Sequence, residues 1–498
     1  MNTLRTFSFS KLLIALLWLP VTVLANQADT VPPTSCPVES SWLTAPSLPI
    51  EVKKSGSDGT SSFCDFYQFS TQTFLYLMSP VKDRKDGQRN FQVQANYPVL
   101  EGTPKNSCDD IIEGSTLRTS LKLMKTGDDN PFPTGQAGGG ATIYAQDGNV
   151  VYYEVRFNKA LCDLSGSAVE LQKKDITNFP PGTMELKFGW KVLSDAEIAA
   201  KTFVTQPQTI AGKNKTMGLV GMHLATATKE HPEFIWATYE HNNNTPNCTP
   251  PDGQTTAWTF ANAKCTNGLP GTAAKDNDCK FNQPPKNKTD PTGTPTNICR
   301  INPFGTAFGD LKAAENLTDI TTQNSQLQAL FAQPTTPSTM KELSNYFTVG
   351  ALWVSDTTKS SGGVGVPNER GSLRLANTVA ETDYQDVNLN SGFASNCFGC
   401  HTYTGTSQPN SNNITSQALS HSFKSIKIGQ GQSIDVAAGK VINDNKAAAD
   451  ICGISVINKG VCDGAGLKWN GNWTNVNASA GSVCGCTKPS KAELVPVQ

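Results

Sequence analysis

Alternation of apolar and polar residues predicts several β-strands in the middle of the chain. The clearest segment is 184–193, in which every second residue from Met184 to Val192 is apolar. This period of two is typical of a strand with one buried face. Segment 150–157 has strand-like composition, and 217–227 and 234–241 form a further candidate pair. We therefore expect a mainly β region with long connections.

The candidate pair at 217–227 and 234–241 predicts which histidines share a face. In a simple antiparallel hairpin, facing residue numbers sum to about 461. His223 then lies on the face of Leu219 and Trp236, and His241 lies on the opposite face. Barring a bulge, only one of these two histidines faces any group bound on the sheet.

The region after residue 320 predicts short elements. Asn324 or Ser325 is a suitable N-cap for a helix, and Thr339-Met340-Lys341-Glu342 is typical of a capping box that opens a second one. The Gly/Ser/Thr-rich segment 355–371 predicts a loop, and 373–378 predicts a strand.

Composition narrows the class of protein. Apolar residues make up 37% and charged residues 17%, with 41 Gly and 30 Pro, which excludes a long coiled coil and favours a loop-rich globular chain. Lys plus Arg (41) balance Asp plus Glu (42) without charge runs. No nucleic-acid partner is therefore expected.

The first 25 residues resemble a secretory signal peptide. Arg5 and Lys11 precede an apolar run, and Val23-Leu24-Ala25 offers a small-residue cleavage site. The run is broken by Pro20, so we predict export and cleavage with no membrane span in the mature chain.

Export favours disulfides, and all 14 cysteines follow the signal segment. The Asn/Thr/Pro-rich segment 242–300 holds four of them, which predicts a loop stapled by two bridges. Cys484 and Cys486 are two apart on a presumed strand, so neither is placed to bridge the other. Pairing with Cys452 and Cys462 is expected instead.

The pentapeptide Cys397-Phe398-Gly399-Cys400-His401 is the attachment motif of a c-type haem. Two cysteine thiols add across haem vinyl groups, and the adjacent histidine supplies a neutral imidazole to the iron. The alternatives are a CxxC redox pair and half of a zinc site, neither of which uses the histidine so directly. We predict one haem c per chain, with His401 as the iron ligand.

The second iron ligand distinguishes possible functions. All seven methionines precede the motif, unlike in a small class I cytochrome c, where a methionine follows it. His223 is our candidate distal group, with His421, another upstream residue or water as alternatives. A six-coordinate haem moves electrons, whereas an open position binds peroxide or oxygen.

Four pieces of sequence together resemble a group of exported bacterial monohaem proteins, the "cytochrome c family". They are Gly221-Met222-His223, Trp236-Ala237-Thr238-Tyr239-Glu240-His241, Leu375-Ala376-Asn377-Thr378 with Glu381, and the CxxCH motif. The resemblance covers about residues 145–405. It implies haem and export, and one unit formed by the β-region and the haem segment.

The end of the chain resembles the mannan-binding lectin family. The pattern runs from Ile434-Asp435-Val436-Ala437-Ala438-Gly439 to Ser482-Val483. The resemblance implies sugar contacts by Trp469, Trp473, Thr474, Asn443 and Asp444, in which aromatic rings pack on sugar C–H faces and polar groups bind hydroxyls. This chain has Ile442 where the family has a tryptophan, and the two Trp rings are also candidates for a small core.

These observations predict an α+β protein overall: a β-rich haem-bearing domain followed by a small disulfide-tied, lectin-like α+β domain. The expected division is a signal peptide 1–25, a β-rich domain 26–428 with its haem segment at about 340–428, a linker 429–433, the lectin-like domain 434–487 and a tail 488–498.

Three functions are compatible with this organisation. The first is electron transfer by an exported protein, in the bacterial periplasm or at the cell surface, that binds mannose-type glycans and an unidentified redox partner. The second is a peroxidase- or oxygenase-like haem oxidoreductase targeted to glycans, and the third is a glycan-binding protein with structural or sensory haem. No hydrolase motif is present.

Overall fold

The structure is a computed structural model of the chain. It describes the following residues: 36–82, 87–93, 96–97, 143–158, 160–161, 179–210, 213–248, 257–266, 279–282, 295–306, 312–361, 368–382, 396–401, 403, 405, 419, 433–440, 442, 445–453, 460–464, 468–477 and 481–487. The predicted signal peptide 1–25, residues 429–432 of the predicted linker 429–433 and the tail 488–498 lie outside them; Ser433 begins a strand.

A seven-stranded antiparallel sheet forms the centre of the fold. Its strands are β1 (Val151–Phe157), β2 (Met184–Val192), β3 (Thr205–Ile210), β4 (Lys213–Thr226), β5 (Ile235–His241), β6 (Tyr346–Val354) and β7 (Glu369–Gly371). The order is β1-β2-β4-β5-β6-β7, and β3 pairs with β4. A mostly antiparallel sheet with helices agrees with the α+β expectation at this level.

The predicted register of the β4–β5 hairpin is confirmed, but one residue predicted on the His223 face lies on the other face. His223 pairs with Thr238, and Thr226 pairs with Ile235, as the sum of 461 requires. Between β2 and β4, however, Gly189 pairs with Gly221 and the next pair is Trp190 with Leu219. Val220 is thus the extra residue of a β-bulge, so Leu219 turns away from the His223 face, contrary to expectation.

Eight α-helices have both ends within the described residues. They are α1 (Ser41–Thr44), α2 (Phe63–Met78), α3 (Asp195–Ala200), α4 (Ala263–Thr266), α5 (Ala313–Phe331), α6 (Cys397–Cys400), α7 (Asn445–Cys452) and α8 (Val461–Gly464). Short 3-10 helices add Asn90–Gln92, Pro303–Gly305 and Ser338–Asn345.

Helices α2 and α5 cover one face of the sheet, here called the helix-covered face. The α2 rings of Phe66 and Phe74 stack on Trp353 and Tyr239 at centroid distances of 3.9 and 4.0 Å. Apolar residues of α5 join the same buried cluster. This face therefore supplies the largest described core.

Irregular segments cover the opposite face, here called the loop-covered face. Ala225 and Trp236 of the sheet pack there with Leu375, Phe398 and other apolar residues that follow β7 in sequence. A further apolar cluster on this face includes Val151, Val220 and Val379. The segments around the CxxCH motif thus pack directly on the sheet.

Three predicted elements after residue 320 were wrong in type or bounds. Helix α5 begins at Ala313, well before the proposed cap at Asn324. The segment 338–345 forms a 3-10 helix that leads into β6. Residues 373–378 do not form a strand. The short strand in this region, β7, lies earlier, within the expected loop.

A separate three-stranded sheet forms near the end of the chain. Strands β8 (Ser433–Ala437), β9 (Lys468–Asn477) and β10 (Gly481–Thr487) are arranged in the order β8-β10-β9. Two disulfides, Cys452–Cys484 and Cys462–Cys486, tie α7 and α8 to β10, which confirms the expected pairing.

Three more disulfides occur in the described part of the chain. Cys248–Cys299 and Cys265–Cys279 staple the 242–300 segment as expected, and Cys36–Cys64 fixes the start of α2. In the same described residues, no helix has both the length and the apolar character to cross a membrane.

The helix-covered core predicts a stability effect. Leu224 is 1% exposed in that cluster, so Leu224→Ala should lower the free energy of unfolding by about 2–5 kcal/mol through lost burial and a cavity. Urea unfolding measures this change. Lys215→Ala, at an exposed position of the same strand, should stay within about 0.5 kcal/mol of the parent. Equal effects of the two substitutions would contradict the burial assigned to Leu224.

Candidate functional site

Strand pairing brings polar side chains together in the middle of the loop-covered face. Lys187 of β2 pairs with His223 of β4, which pairs in turn with Thr238 of β5. Glu185 lies two residues before Lys187 and points to the same side of the sheet. In the neighbouring row, Glu185 pairs with Ala225, and Ala225 pairs with Trp236. Ala225 and Trp236 belong to the apolar cluster of this face, so a hydrophobic surface borders the polar group on that side.

The CxxC sequence forms the one-turn helix α6 beside this polar group. Asn396 caps it, because its side-chain oxygen accepts a hydrogen bond from Gly399 N. The Asn396 amide also donates to Glu369 Oε2 and to Leu373 O, at 2.8 and 3.0 Å. Asn396 is fully buried. The helix start is therefore anchored to the region around β7.

His401 follows α6 and lies over the sheet, 8% exposed. Its Nδ1 is 2.6 Å from Leu419 O, and a carbonyl oxygen only accepts, so Nδ1 carries the hydrogen. Nε2 of a neutral ring then presents its lone pair. The ring centroid lies 4.6 Å from that of Trp236. The histidine is thus held in a fixed orientation and tautomer.

Lys187 reaches the ligand-competent nitrogen of His401. Its Nζ is 3.2 Å from His401 Nε2 and 3.3 Å from Glu185 Oε1. The Lys187 side chain is 25% exposed and that of Glu185 only 3%. An amine, a carboxylate and an imidazole therefore meet where the CxxCH segment contacts the sheet.

His223 lies next to Lys187 and contacts a second carboxylate. Its Nε2 is 2.8 Å from Glu381 Oε1, with 12% and 14% of the two side chains exposed. The ring is not aligned for a regular hydrogen bond with that oxygen despite the short distance. Asn377 N donates to the other oxygen, Glu381 Oε2, at 2.9 Å. This backbone contact holds the carboxylate near His223.

Three of the sequence segments on which the family resemblance rests contact one another. The Asn377 amide donates to Thr238 Oγ1 and to Tyr239 O, and Thr378 donates from N and Oγ1 to the buried carboxylate of Glu240. A Cβ on Gly221 would lie 2.7 Å from a Val379 methyl group. These contacts seat segment 375–381 on the sheet beside His223.

The other two described histidines serve different environments. His241 is fully buried between Phe203 and Tyr346, and burial lowers its pKa to about 4. Its Nε2 contacts Thr202 O at 3.1 Å. His231 contacts the buried carboxylate of Glu233 at 2.9 Å. The positions of His223 and His241 agree with the expectation that only one of the two faces the CxxCH segment.

The predicted sugar-contacting residues are distributed along the C-terminal sheet. Trp469, Trp473 and Thr474 lie on β9 and pair with Cys486, Cys484 and Val483 of β10. Trp469 packs against the buried cluster of this sheet, which includes Ile442. Asn443 and Asp444 lie outside the described residues, as does His421.

The C-terminal sheet approaches helix α6. Cα atoms of β9 lie within 8 Å of Cα atoms of α6. The strand that carries Trp469 and Trp473 therefore runs close to the CxxC turn.

Lys187 and Glu185 were missed by the sequence analysis. Both occupy the polar positions of an alternating strand, which normally indicates a solvated face. One feature of the sequence could have indicated that this face is covered. The segment that follows β7 is long enough to lie over it.

Comparison with known proteins adds no relatives to this picture. No protein-family model, curated protein or solved structure matches the chain. Within the described residues, no group of three His, Cys, Asp or Glu side chains is arranged to hold a metal ion.

The anchor of α6 predicts a pH effect. Burial raises the pKa of Glu369 to about 8. The Glu369 carboxylate therefore binds a proton more tightly in the folded protein than in the unfolded chain. This contribution to the free energy of unfolding should be complete below about pH 4.5 and fall as pH rises to about 8. Glu369→Gln should remove that part of the decline.

Denaturant unfolding at several pH values measures the effect. Asp195→Asn, a substitution of an exposed carboxylate on α3, is the control and should keep the parent profile. Parallel profiles for the parent and Glu369→Gln would contradict the raised pKa.

Proposed function

We propose that this chain is an exported c-type monohaem protein that transfers electrons. Cys397 and Cys400 would hold one haem c through thioethers, and His401 would bind its iron. The observation that carries the proposal is the fixed tautomer of His401, in which Nδ1 donates to Leu419 O and Nε2 presents its lone pair. Metal-bound histidines characteristically donate their second nitrogen in this way.

The residues around the CxxCH motif fit a haem group. Asn396 fixes the CxxC turn, and Phe398 and Tyr403 pack with Trp236 in a buried apolar cluster. Haem supplies one-electron chemistry when bound, and a low-polarity environment with hydrogen bonds to the axial ligand tunes its potential. The protein groups therefore bind, orient and shield the cofactor.

A haem oxidoreductase is the second candidate, and one observation favours it. Glu185, Lys187, His223 and Glu381 form a set of acid–base groups beside His401. Peroxide and oxygen chemistry needs such groups near the iron to move protons. Ready carbon monoxide binding by the reduced protein, together with peroxide turnover, would favour this candidate over electron transfer.

We also propose that the C-terminal sheet binds mannose-type glycans. The resemblance assigns sugar contacts to Trp469, Trp473, Thr474, Asn443 and Asp444. Two disulfides stabilise the small sheet, which suits an exported module. The periplasm or the outer cell surface is then the place of action.

Haem attachment has a direct test. The parent, produced in a host competent in cytochrome maturation, should be coloured, with an intact mass raised by one haem. The double substitution of Cys397→Ser and Cys400→Ser should remove that increment, because no thioether can form. His231→Gln, which changes a histidine in the connection between β4 and β5 whose ring contacts Phe66 of α2, should leave it unchanged. A colourless parent of unmodified mass would contradict the proposal.

Glycan binding is tested by calorimetry of the full chain with a mannose oligosaccharide. The Asn443→Ala and Asp444→Ala double variant should bind about tenfold or more weakly, since about 1.4 kcal/mol corresponds to each factor of ten and lost hydrogen bonds cost this much. Lys446→Ala, at an exposed position of α7, should match the parent. No binding by the parent would refute the lectin-like role.

A further inference from the structure

The contact between Lys187 and His401 points to a role for the lysine at the iron. Lys187 Nζ lies 3.2 Å from His401 Nε2, the nitrogen that would bind iron. We infer that Lys187 supplies the second axial ligand, opposite His401. This assignment rests on the proposed haem, and it replaces His223 as the distal group.

The distances suit two ligands of one metal ion. A metal–nitrogen bond is about 2 Å long, so two nitrogen ligands on opposite sides of an ion lie about 4 Å apart. The observed separation is less than ~1 Å shorter than this, and the flexible four-carbon stem of lysine absorbs such a shift. The Lys187 backbone is fixed in the centre of the sheet by pairing with both β1 and β4.

The described methionines, His223 and His241 are directed elsewhere. The described methionines all belong to the buried cluster of the helix-covered face, on the wrong side of the sheet: Met78, Met184, Met217, Met222 and Met340. His223 Nε2 lies against Glu381, and His241 Nε2 lies against Thr202 O. The donor nitrogen of Lys187, in contrast, contacts His401 Nε2.

The neighbouring carboxylate supports an amine ligand. Coordination uses the nitrogen lone pair, so the ammonium group releases one proton to water and no electron is transferred. The remaining N–H bonds then need acceptors in a partly buried site. Glu185 Oε1, 3.3 Å from Nζ, supplies one. A haem iron that binds His401 and Lys187 in addition to its four porphyrin nitrogens would be six-coordinate, which agrees with electron transfer.

The test compares haem-loaded parent and variants by absorption and electron paramagnetic resonance spectra, with and without carbon monoxide. The parent should be low-spin and bind carbon monoxide weakly. Lys187→Ala should become high-spin and bind it about tenfold or more tightly, since a position on the iron opens. His223→Gln and the exposed control Lys215→Ala should both keep the parent spectra.

Lys187→Met distinguishes the loss of an iron ligand from a folding defect in Lys187→Ala. A thioether at this position should keep the iron low-spin and raise its reduction potential, because methionine ligation raises the potential. An unchanged spectrum and potential in both Lys187 variants would overturn the assignment. A high-spin parent, or a His223→Gln variant that alone becomes high-spin, would also overturn it.

Failure of the underlying proposal gives a different result. A parent without covalent haem contradicts the haem proposal and this assignment together. A coloured parent whose spectra do not depend on Lys187 contradicts the assignment alone.

Discussion

The antiparallel register of β2, β4 and β5 is the constraint on which the candidate site depends. It places Lys187, His223 and Thr238 side by side on the loop-covered face. Because side chains alternate along a strand, a shift of one residue would move this row into the helix-covered core and bring Leu186 and Leu224 to the site. The large cluster beneath α2 and α5 opposes such a shift, since it would lose its apolar side chains.

The polar row is costly to place on a largely apolar surface. Buried charges destabilise a fold unless they are paired or hydrogen-bonded. Here Glu185 pairs with Lys187, and Glu381 contacts His223. Segment 375–381 supplies one of these carboxylates and is itself fixed through Asn377. Structure and chemistry are therefore coupled at this face: the contacts that seat the covering segment also compensate the buried charges.

The short distance between β9 and α6 places the C-terminal sheet near the CxxC turn. With the proposed glycan binding by β9 and the proposed haem at the CxxC turn, the sugar and the haem would lie in one neighbourhood. The effective concentration of the bound sugar near the haem would then be set by this proximity rather than by linker length alone. The disulfides Cys452–Cys484 and Cys462–Cys486 keep this small sheet folded.

The sequence by itself predicted strands β1, β2, β4 and β5, the register of the β4–β5 hairpin and the CxxCH motif, because these depend on local periodicity and on spacing. It also limited the cysteine partners at the end of the chain and in segment 242–300, but only the structure decided which cysteines pair. The sequence did not reveal helix α2, whose Ser62–Asp65 capping box went unnoticed, or the bulge at Val220. Only the tertiary structure decided that Lys187 contacts His401, since residues 214 apart in sequence meet there. Strand alternation marks a residue as polar, but only the packing of a distant segment decides whether that side chain meets water or a functional site.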